Sequence, residues 1–293
     1  VDSSIPRKQF PADQYSFAVV IPTIGRVAEL SVLLESLRRQ TQSPQQVIIV
    51  DQNGDDRLEA LLEEFQDLPI DWVRVQLRGA ARARNIGKHL AEAEVLTFAD
   101  DDCEFPGDLI ERVNRMLQED AQVDAISVAS RDKNGGRGIT RFSREPATIN
   151  RYNVFRCSVE FGVFFRSACI DDLDYDETLG VGSDGPYWSD EGPDLLLRLI
   201  ERGGVIRYTP ELVIYHPDPV KRYDEQAITR SRRYGCGRGR FLRKHKYPIW
   251  FVLYSWVTYA GAATVSLLQL RPNRFKYYLG GLQGRLGCYF HRL

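Results

Sequence analysis

At 293 residues, with 43% hydrophobic and 27% charged, the chain has the composition of a folded protein with one large core or two modest ones, which excludes a disordered or low-complexity segment. The net charge of −1 conceals a division: from His216 onward 15 Lys and Arg stand against 3 acidic residues, +12, while the preceding residues carry 24 against 37, −13. An acidic body joined to a basic tail expects an anionic partner, and with no nucleic-acid recognition module beside the charge, nucleic acid is set aside.

Val1 to Tyr15 is polar with two prolines and reads as a loose lead-in without an export signal. Phe17-Ala18-Val19-Val20-Ile21 is a continuous apolar run closed by Pro22-Thr23, which suits a strand buried on both faces. Leu30, Leu33, Leu34 and Leu37 recur at helical spacing, and Val47 to Val50 follows before Asp51-Gln52-Asn53-Gly54, completing a β-α-β unit. Leu58 to Phe65 reads as a helix, Asp71 to Gln76 as a strand and Ala80 to Ala91 as a helix. This alternation predicts a mostly parallel sheet with helices on both faces.

The next strand, Val95-Leu96-Thr97-Phe98-Ala99, stops in Asp100-Asp101-Asp102. In an extended chain residues i and i+2 point the same way, so Asp100 and Asp102 are expected to converge while Asp101 faces elsewhere. Adjacent carboxylates repel one another, and a hard cation with oxygen ligands, Mg²⁺ or Mn²⁺, relieves the repulsion and also takes diphosphate oxygens. A solvated acidic turn is the bland alternative. The carboxyl end of a buried strand is nevertheless where open α/β sheets bind ligands.

Pro106 introduces a helix with Leu109, Ile110, Val113 and Leu117 on one face, and Ala125 to Ala129 is the next expected strand. Arg131 to Gly138, Gly-rich and charged, reads as a mobile loop, and Val159 to Phe165 as a strand. Leu179-Gly180-Val181-Gly182 leads to Trp188-Ser189-Asp190-Glu191-Gly192-Pro193-Asp194, and Leu195 to Ile200 is a helix ending at Gly203-Gly204.

Val19 to Thr23, Val50-Asp51, Ala83-Arg84-Asn85-Ile86-Gly87, Asp100 to Asp102, and Glu191 with Asp194 opening a helix form an ordered set. In this order and spacing the chain resembles the family 2 glycosyltransferases of the GT-A fold, which use nucleotide sugars and commonly invert the anomeric carbon. The resemblance covers roughly Phe17 to Tyr215. It implies a catalytic domain over 16–215, which composition sets between the lead-in over 1–15 and a basic, helical, membrane-associating region over 216–293.

By the same resemblance Thr23, Asp51 and Gln52 meet the base and ribose of the donor, and Arg84 and Asn85 belong to the A-R-N element. Asp100 and Asp102 match the D-x-D motif, the first acid approaching the ribose and the last binding metal, with Asp101 beside them on the donor side. Many relatives carry two acids where this chain has Asp51-Gln52. The familiar E-D-x-D-L pattern stands here as Glu191-Gly192-Pro193-Asp194-Leu195, with glycine at the usual base position. A base must lie within hydrogen-bond reach of the acceptor hydroxyl, so the role passes to Glu191, with Asp190 and Asp194 as competitors. Asp194 in the first helical turn also suits a simple dipole partner, and Asp190 an N-cap.

Arg78, Arg82 and Arg84 are candidates to hold the diphosphate, against solvated helix-face roles. His216, after Val213-Ile214-Tyr215, is a candidate third metal ligand, and Trp188 a candidate sugar platform, each against ordinary packing. Arg232, Arg233, Arg238 and Arg240 stand among glycines that permit close backbone approach, which suits diphosphate or acceptor recognition.

Ile249 to Leu270 runs without a charge and is long enough to span a bilayer. A small, polar stripe (Ser255, Thr258, Ala262, Ser266, Gln269) and basic flanks favour an interfacial helix, with burial against the catalytic domain as the alternative. Five scattered cysteines without a C-x-x-C pair argue against a disulfide frame or structural zinc, and for a reducing cytosolic setting. The expected activity is sugar transfer to a saccharide, lipid-linked acceptor at the cytosolic face of an anionic membrane. The alternative is a catalytically silent, membrane-associated nucleotide-sugar binding or scaffold protein. Pro22-Thr23-Ile24-Gly25-Arg26 lacks the G-x-G-x-R loop expected of a sugar nucleotidyltransferase.

Overall fold

The computed structural model describes residues 14–133, 141–218 and 222–290. The expected lead-in over 1–15 lies outside them up to residue 13, as does the expected loop from residue 134 onward. In chain order the elements are β1 (Phe17–Thr23), α1 (Ala28–Arg38), β2 (Gln46–Asp51), α2 (Glu59–Glu63), β3 (Ile70–Arg74), α3 (Ala80–Leu90) and β4 (Val95–Phe98). There follow α4 (Leu109–Glu119), β5 (Ala125–Arg131), β6 (Ala147–Thr148), α5 (Val154–Cys157), β7 (Val163–Arg166), α6 (Glu191–Glu201) and β8 (Ile206–Tyr215). The basic tail forms α7 (Glu225–Lys244), α8 (Ile249–Leu268) and α9 (Pro272–Phe290).

The described residues gather into two compact units. The first holds those up to Leu77, Ala83–Asp174 and Leu195–Asp218; the second holds Arg78–Arg82, Tyr175–Asp194 and the residues after Asp218. The first unit carries an eight-stranded sheet in the order β3-β2-β1-β4-β7-β5-β8-β6. Phe17 to Ile21 of β1 are buried on both faces, as an unbroken apolar run demands, and β1 lies between β2 and β4, parallel to each. Leu30, Leu33, Leu34 and Leu37 of α1 and Leu109, Ile110, Val113 and Leu117 of α4 close over the sheet in one core with Phe17, Val19 and Ile49.

The sheet is mostly parallel, with β7 antiparallel to both β4 and β5 and β6 antiparallel to β8. The strand expected over Val159 to Phe165 begins only at Val163, because Glu160–Gly162 form a 3-10 turn that reverses the chain into β7.

The second unit shows how the glycines of the tail are used. The Arg- and Gly-rich run from Arg230 to Arg240 lies inside α7, whose N-terminus is capped by Asp224 accepting from the Ala227 N–H at 2.8 Å. Gly235 and Gly239 face α9, and Gly237 faces the backbone of Ser189. A Cβ on Gly284 would stand 2.8 Å from the Cys236 nitrogen, and one on Gly239 would stand 3.0 Å from the Tyr289 nitrogen, so glycine on both helices lets the backbones touch. This contact also brings together two cysteines 52 residues apart: Cys236 and Cys288 are joined, their Cα atoms 5.0 Å apart. The expectation against a disulfide frame does not foresee this single pair, which no short sequence spacing announces. Cys103, Cys157 and Cys169 are free.

In α8 two of the small polar residues face inward, while Thr258 and Gln269 are exposed. Ser255 and Ser266 are buried, Ser255 Oγ accepting from Arg285 Nε of α9 at 3.2 Å, while Trp250, Leu253, Tyr254, Val257, Val265 and Leu268 are exposed. The outward spacing is helical, so one stripe of α8 is a continuous apolar surface. By length and composition α8 is apolar enough to cross a membrane, and 22% of its apolar 18-residue window is buried.

Candidate active site

In the first unit the carboxyl ends of β1, β2, β4 and β8 bring the chemistry together. Thr23 and Asp51 are paired in register at the ends of β1 and β2. The Thr23 hydroxyl donates to Asp101 Oδ2 at 2.9 Å. Asp51 is fully buried and its oxygens are engaged: Oδ1 accepts from the Asn53 N–H at 2.8 Å and the Asn53 amide at 2.7 Å, and Oδ2 from Trp72 Nε1 at 3.0 Å. That network fixes the turn carrying Gln52 at the strand end.

Asp100 to Asp102 separate as expected, but not through strand alternation. β4 ends at Phe98, and the acids occupy a turn in which the Cys103 N–H donates to the Asp100 carbonyl at 3.0 Å. Past the turn Glu104 and Tyr215 exchange backbone hydrogen bonds of 2.8 and 2.9 Å. This bridge ties the turn to the end of β8 and delivers His216 to Asp102. Asp100, Asp102 and His216 each offer one ligand atom, all within 4.8 Å of one another.

The orientation of His216 is held on two sides. Its ring stacks on Phe161, centroids 4.7 Å apart and planes 7° apart, and Nδ1 lies 2.7 Å from the Pro217 carbonyl, which places a proton on Nδ1. Nε2 then faces Asp102 Oδ1 at 3.0 Å, and that buried oxygen has no hydrogen bond. Two acceptor atoms so placed require a proton or a cation between them. Burial lowers the pKa of His216, but the facing carboxylates of Asp102 and Asp100 outweigh it and raise the value. Burial pushes Asp102 up, and His216 with Arg26 outweighs that and brings it below the usual range. Asp101, raised by burial against the pull of Arg26 and Thr23, stands at about 6. Two carboxylates and an imidazole whose Nε2 is turned toward them fit a divalent cation of the Mg²⁺ or Mn²⁺ kind.

Two arginines approach these acids. Arg84, on α3, donates to Asp100 Oδ1 at 2.7 Å, its side chain only 4% exposed. Arg26, not singled out from the sequence, lies 2.8 Å from Asp101 Oδ1 and 2.5 Å from Asp102 Oδ2, with its side chain 46% exposed. Seventy-five residues separate Arg26 from Asp101, so only the fold pairs them. Asn85 is buried on α3 beside Arg84.

In the second unit the segment ahead of α6 is anchored to α7. Asp190, at φ 69°, is a non-glycine residue in the left-handed region; its carbonyl accepts the Asp194 N–H at 3.0 Å, opening α6. Arg238 grips the Asp190 side chain with Nε and Nη2, both at 2.8 Å. Asp194 is fully buried, with Lys244 Nζ 2.6 Å and His245 Nε2 2.8 Å from Oδ1, and Lys244 also meets Asp176 at 2.6 Å. Burial pushes the Asp176 carboxyl up, but Lys244 and the Thr178 hydroxyl outweigh it and hold it below its ordinary value. Glu191, also buried, opens α6 against Gly180, whose φ of 94° and missing side chain leave room for the carboxylate.

The remaining candidates also have partners in this unit. Arg82 Nε donates to Glu177 at 3.0 Å, and Arg78 supplies a carbonyl 3.4 Å from Arg82 Nη1. The Arg233 guanidinium covers the Trp188 ring at 3.9 Å, and that of Arg240 lies 5.7 Å from the Tyr187 ring. Arg232 and Arg233 are exposed on α7, while Arg238 is spent on Asp190. Sequence reading missed Lys244 and His245, which stood inside a run of tail charges with nothing to mark their partner.

The fold is shared with known structures. A mannosyltransferase of Pyrobaculum calidifontis, solved with GDP-Man and Mn²⁺, superposes with a TM-score of 0.65 at 18% identity over 93% of this chain and 87% of that one. S. aureus TarS residues 1–349, solved with UDP, gives 0.58 at 16% identity over 94% and 93%. In sequence, an uncharacterized glycosyltransferase of Haemophilus influenzae is 30% identical over 136 residues, 45% of this chain and 46% of the relative. The uncharacterized glycosyltransferase YwdF of Bacillus subtilis is 30% identical over 165 residues, 54% of this chain. The matches span 46% and 60% of these relatives' lengths. The model of the family described as glycosyl transferase family 2 matches residues 18–173, more than half of the sequence, and the chain belongs to that family, on a GT-A fold.

Proposed function

We propose that the chain is a metal-dependent glycosyltransferase that moves a sugar from a nucleotide-diphosphate donor to a saccharide acceptor with inversion, in a single displacement. The observation that carries this reading is the convergence of Asp100, Asp102 and His216 within 4.8 Å at the carboxyl edge of the sheet. Structural neighbours solved with UDP, or with GDP-Man and Mn²⁺, support the donor class.

Thr23, Asp51 and Gln52 receive the base and ribose at the ends of β1 and β2, and Asp100 with Arg84 borders the ribose and diphosphate. Asp100, Asp102 and His216 hold a divalent cation, whose charge, when bound, offsets the negative charge growing on the departing diphosphate. Glu191 accepts the proton of the acceptor hydroxyl. Asp194 is bonded to Lys244 and His245 and Asp190 to Arg238, while Glu191 opens α6 in the place the sequence motif gives to the base, with its carboxylate beside Gly180.

The acceptor is lipid-linked, at the cytosolic face of an anionic membrane. Two features support this: the exposed apolar stripe of α8, and the absence of any acidic residue from Gln226 to the end of the sequence beside 13 Lys and Arg. A second reading, a silent nucleotide-sugar binder, draws on Gly192 at the customary base position.

The test is a panel of UDP- and GDP-sugars with Mn²⁺, read for binding and for nucleoside diphosphate release with and without saccharide acceptors. Release that disappears in Asp102→Asn supports transfer. Binding without release under every acceptor condition supports the silent binder, and no binding of any donor sinks both.

A further inference from the structure

The acids of the first unit meet two guanidinium groups held in different ways. Arg84 is packed on α3 with its side chain 4% exposed and contacts Asp100 Oδ1. Arg26 sits on the turn between β1 and α1, its side chain 46% exposed, and its Nη1 bridges Asp101 Oδ1 and Asp102 Oδ2. Arg84 is therefore fixed, whereas Arg26 can leave without disturbing the core.

Asp102 is thus shared. Oδ2 faces Arg26 at 2.5 Å, while Oδ1 faces His216 Nε2 at 3.0 Å. A cation bound through Asp102 and His216 would stand within a few ångströms of the Arg26 charge, and like charges at such range in a partly buried setting repel strongly. The repulsion is relieved when an anion arrives that both positive charges can contact, and a guanidinium meets phosphate oxygens as readily as carboxylate oxygens. A nucleotide diphosphate is that anion under the function proposed above.

We propose that Arg26 makes cation binding at Asp100, Asp102 and His216 conditional on the donor diphosphate: it weakens the hold on a lone divalent ion and moves onto the diphosphate when nucleotide binds. The coupling is reciprocal, so the factor by which nucleotide strengthens Mn²⁺ binding equals the factor by which Mn²⁺ strengthens nucleotide binding, and Arg26 supplies part of it. This rests on the metal reading of the three residues, and the experiment separates the two.

The measurement is Mn²⁺ binding to the full chain, followed by electron paramagnetic resonance of free Mn²⁺, alone and with saturating UDP or GDP. The variants are Arg26→Gln, Arg26→Met, Arg26→Lys and Asp102→Asn. Arg26→Gln and Arg26→Met should bind Mn²⁺ alone about 10-fold or more tightly than wild type, and nucleotide should improve that binding about 10-fold less than it does in wild type. Arg26→Lys, which keeps the charge, should stay near wild type. Unchanged or weaker binding of Mn²⁺ alone in both neutral variants, with melting temperatures retained, overturns the role of Arg26. If Asp102→Asn binds Mn²⁺ as wild type does, the metal reading itself fails. Loss in Asp102→Asn with wild-type behaviour in the neutral Arg26 variants removes only the coupling.

Discussion

Glu191 closes against Gly180: a Cβ on Gly180 would stand 2.8 Å from the Glu191 carboxyl carbon and 2.9 Å from Oε1. No ordinary side-chain contact is that short, and at φ 94° a non-glycine residue is strained as well. Gly180, eleven residues ahead of α6, thus leaves the space in which the carboxylate of the proposed base rests.

Gly180→Ala should therefore behave as a displaced-base variant. Turnover is expected to fall at least 10-fold with donor affinity within about 2-fold of wild type, since a shift of about 1 Å at a catalytic group is costly. Steady-state kinetics beside nucleotide titration checks this; equal loss of both would point to general unfolding.

Glu191→Gln keeps the shape and removes the proton acceptor, so turnover should drop by roughly 10²-fold or more with little change in donor binding. Asp194→Asn should show its effect chiefly in melting temperature, because Lys244 and His245 lose a buried charged partner. Loss of turnover in Asp194→Asn with unaltered stability would transfer the base role to Asp194.

Lys244 holds Asp176 in its charged form, so the folded carboxyl titrates below its unfolded value of about 3.9. A lowered folded pKa contributes stability that is present above the unfolded value and is lost as pH falls through the folded one. Asp176→Asn should cost about 1–2 kcal/mol at pH 6, and the gap from wild type should close as pH drops below about 4. Urea midpoints measured from pH 3 to 6 check it; a gap independent of pH would place the contribution in packing.

Gly284→Val should destabilise the helical unit by about 1–3 kcal/mol, because the added carbons meet the backbone of α7 at Cys236. Gly287, where a Cβ meets nothing within 4 Å, is the control. Gly287→Val should be neutral or slightly stabilising, by about 0.5 kcal/mol or less, since valine has the better helix propensity. Thermal melts of the two variants decide it.

Replacing Trp250, Val257 and Leu268 together by Gln should abolish flotation on vesicles rich in anionic lipid and leave the melting temperature within a few degrees, since all three side chains are exposed. High salt should weaken wild-type flotation, each basic residue near the surface contributing about 1 kcal/mol. Flotation of the triple variant equal to wild type would remove α8 as the membrane contact.

Much of the first unit was legible in one dimension. The apolar runs of β1, β2 and β4 and the heptad-like leucines of α1 and α4 encode burial directly, because strand and helix periods are local properties of the chain. Clustered carboxylates ending an apolar strand likewise announce a ligand edge before any fold is known. What sequence left undecided were relations of long range. The pairing of Arg26 with Asp102, the delivery of His216 to Asp102 through the Glu104–Tyr215 bridge, the bond between Cys236 and Cys288, and the engagement of Asp194 by Lys244 join residues 50 to 114 positions apart. The tail shows the difference most plainly. Its arginines and glycines carry the same composition as a phosphate cradle, and only the packing of α7 on α9 reveals that the glycines admit a neighbouring backbone. Local pattern specifies which residues are buried; which buried surfaces meet is settled by the whole chain closing on itself.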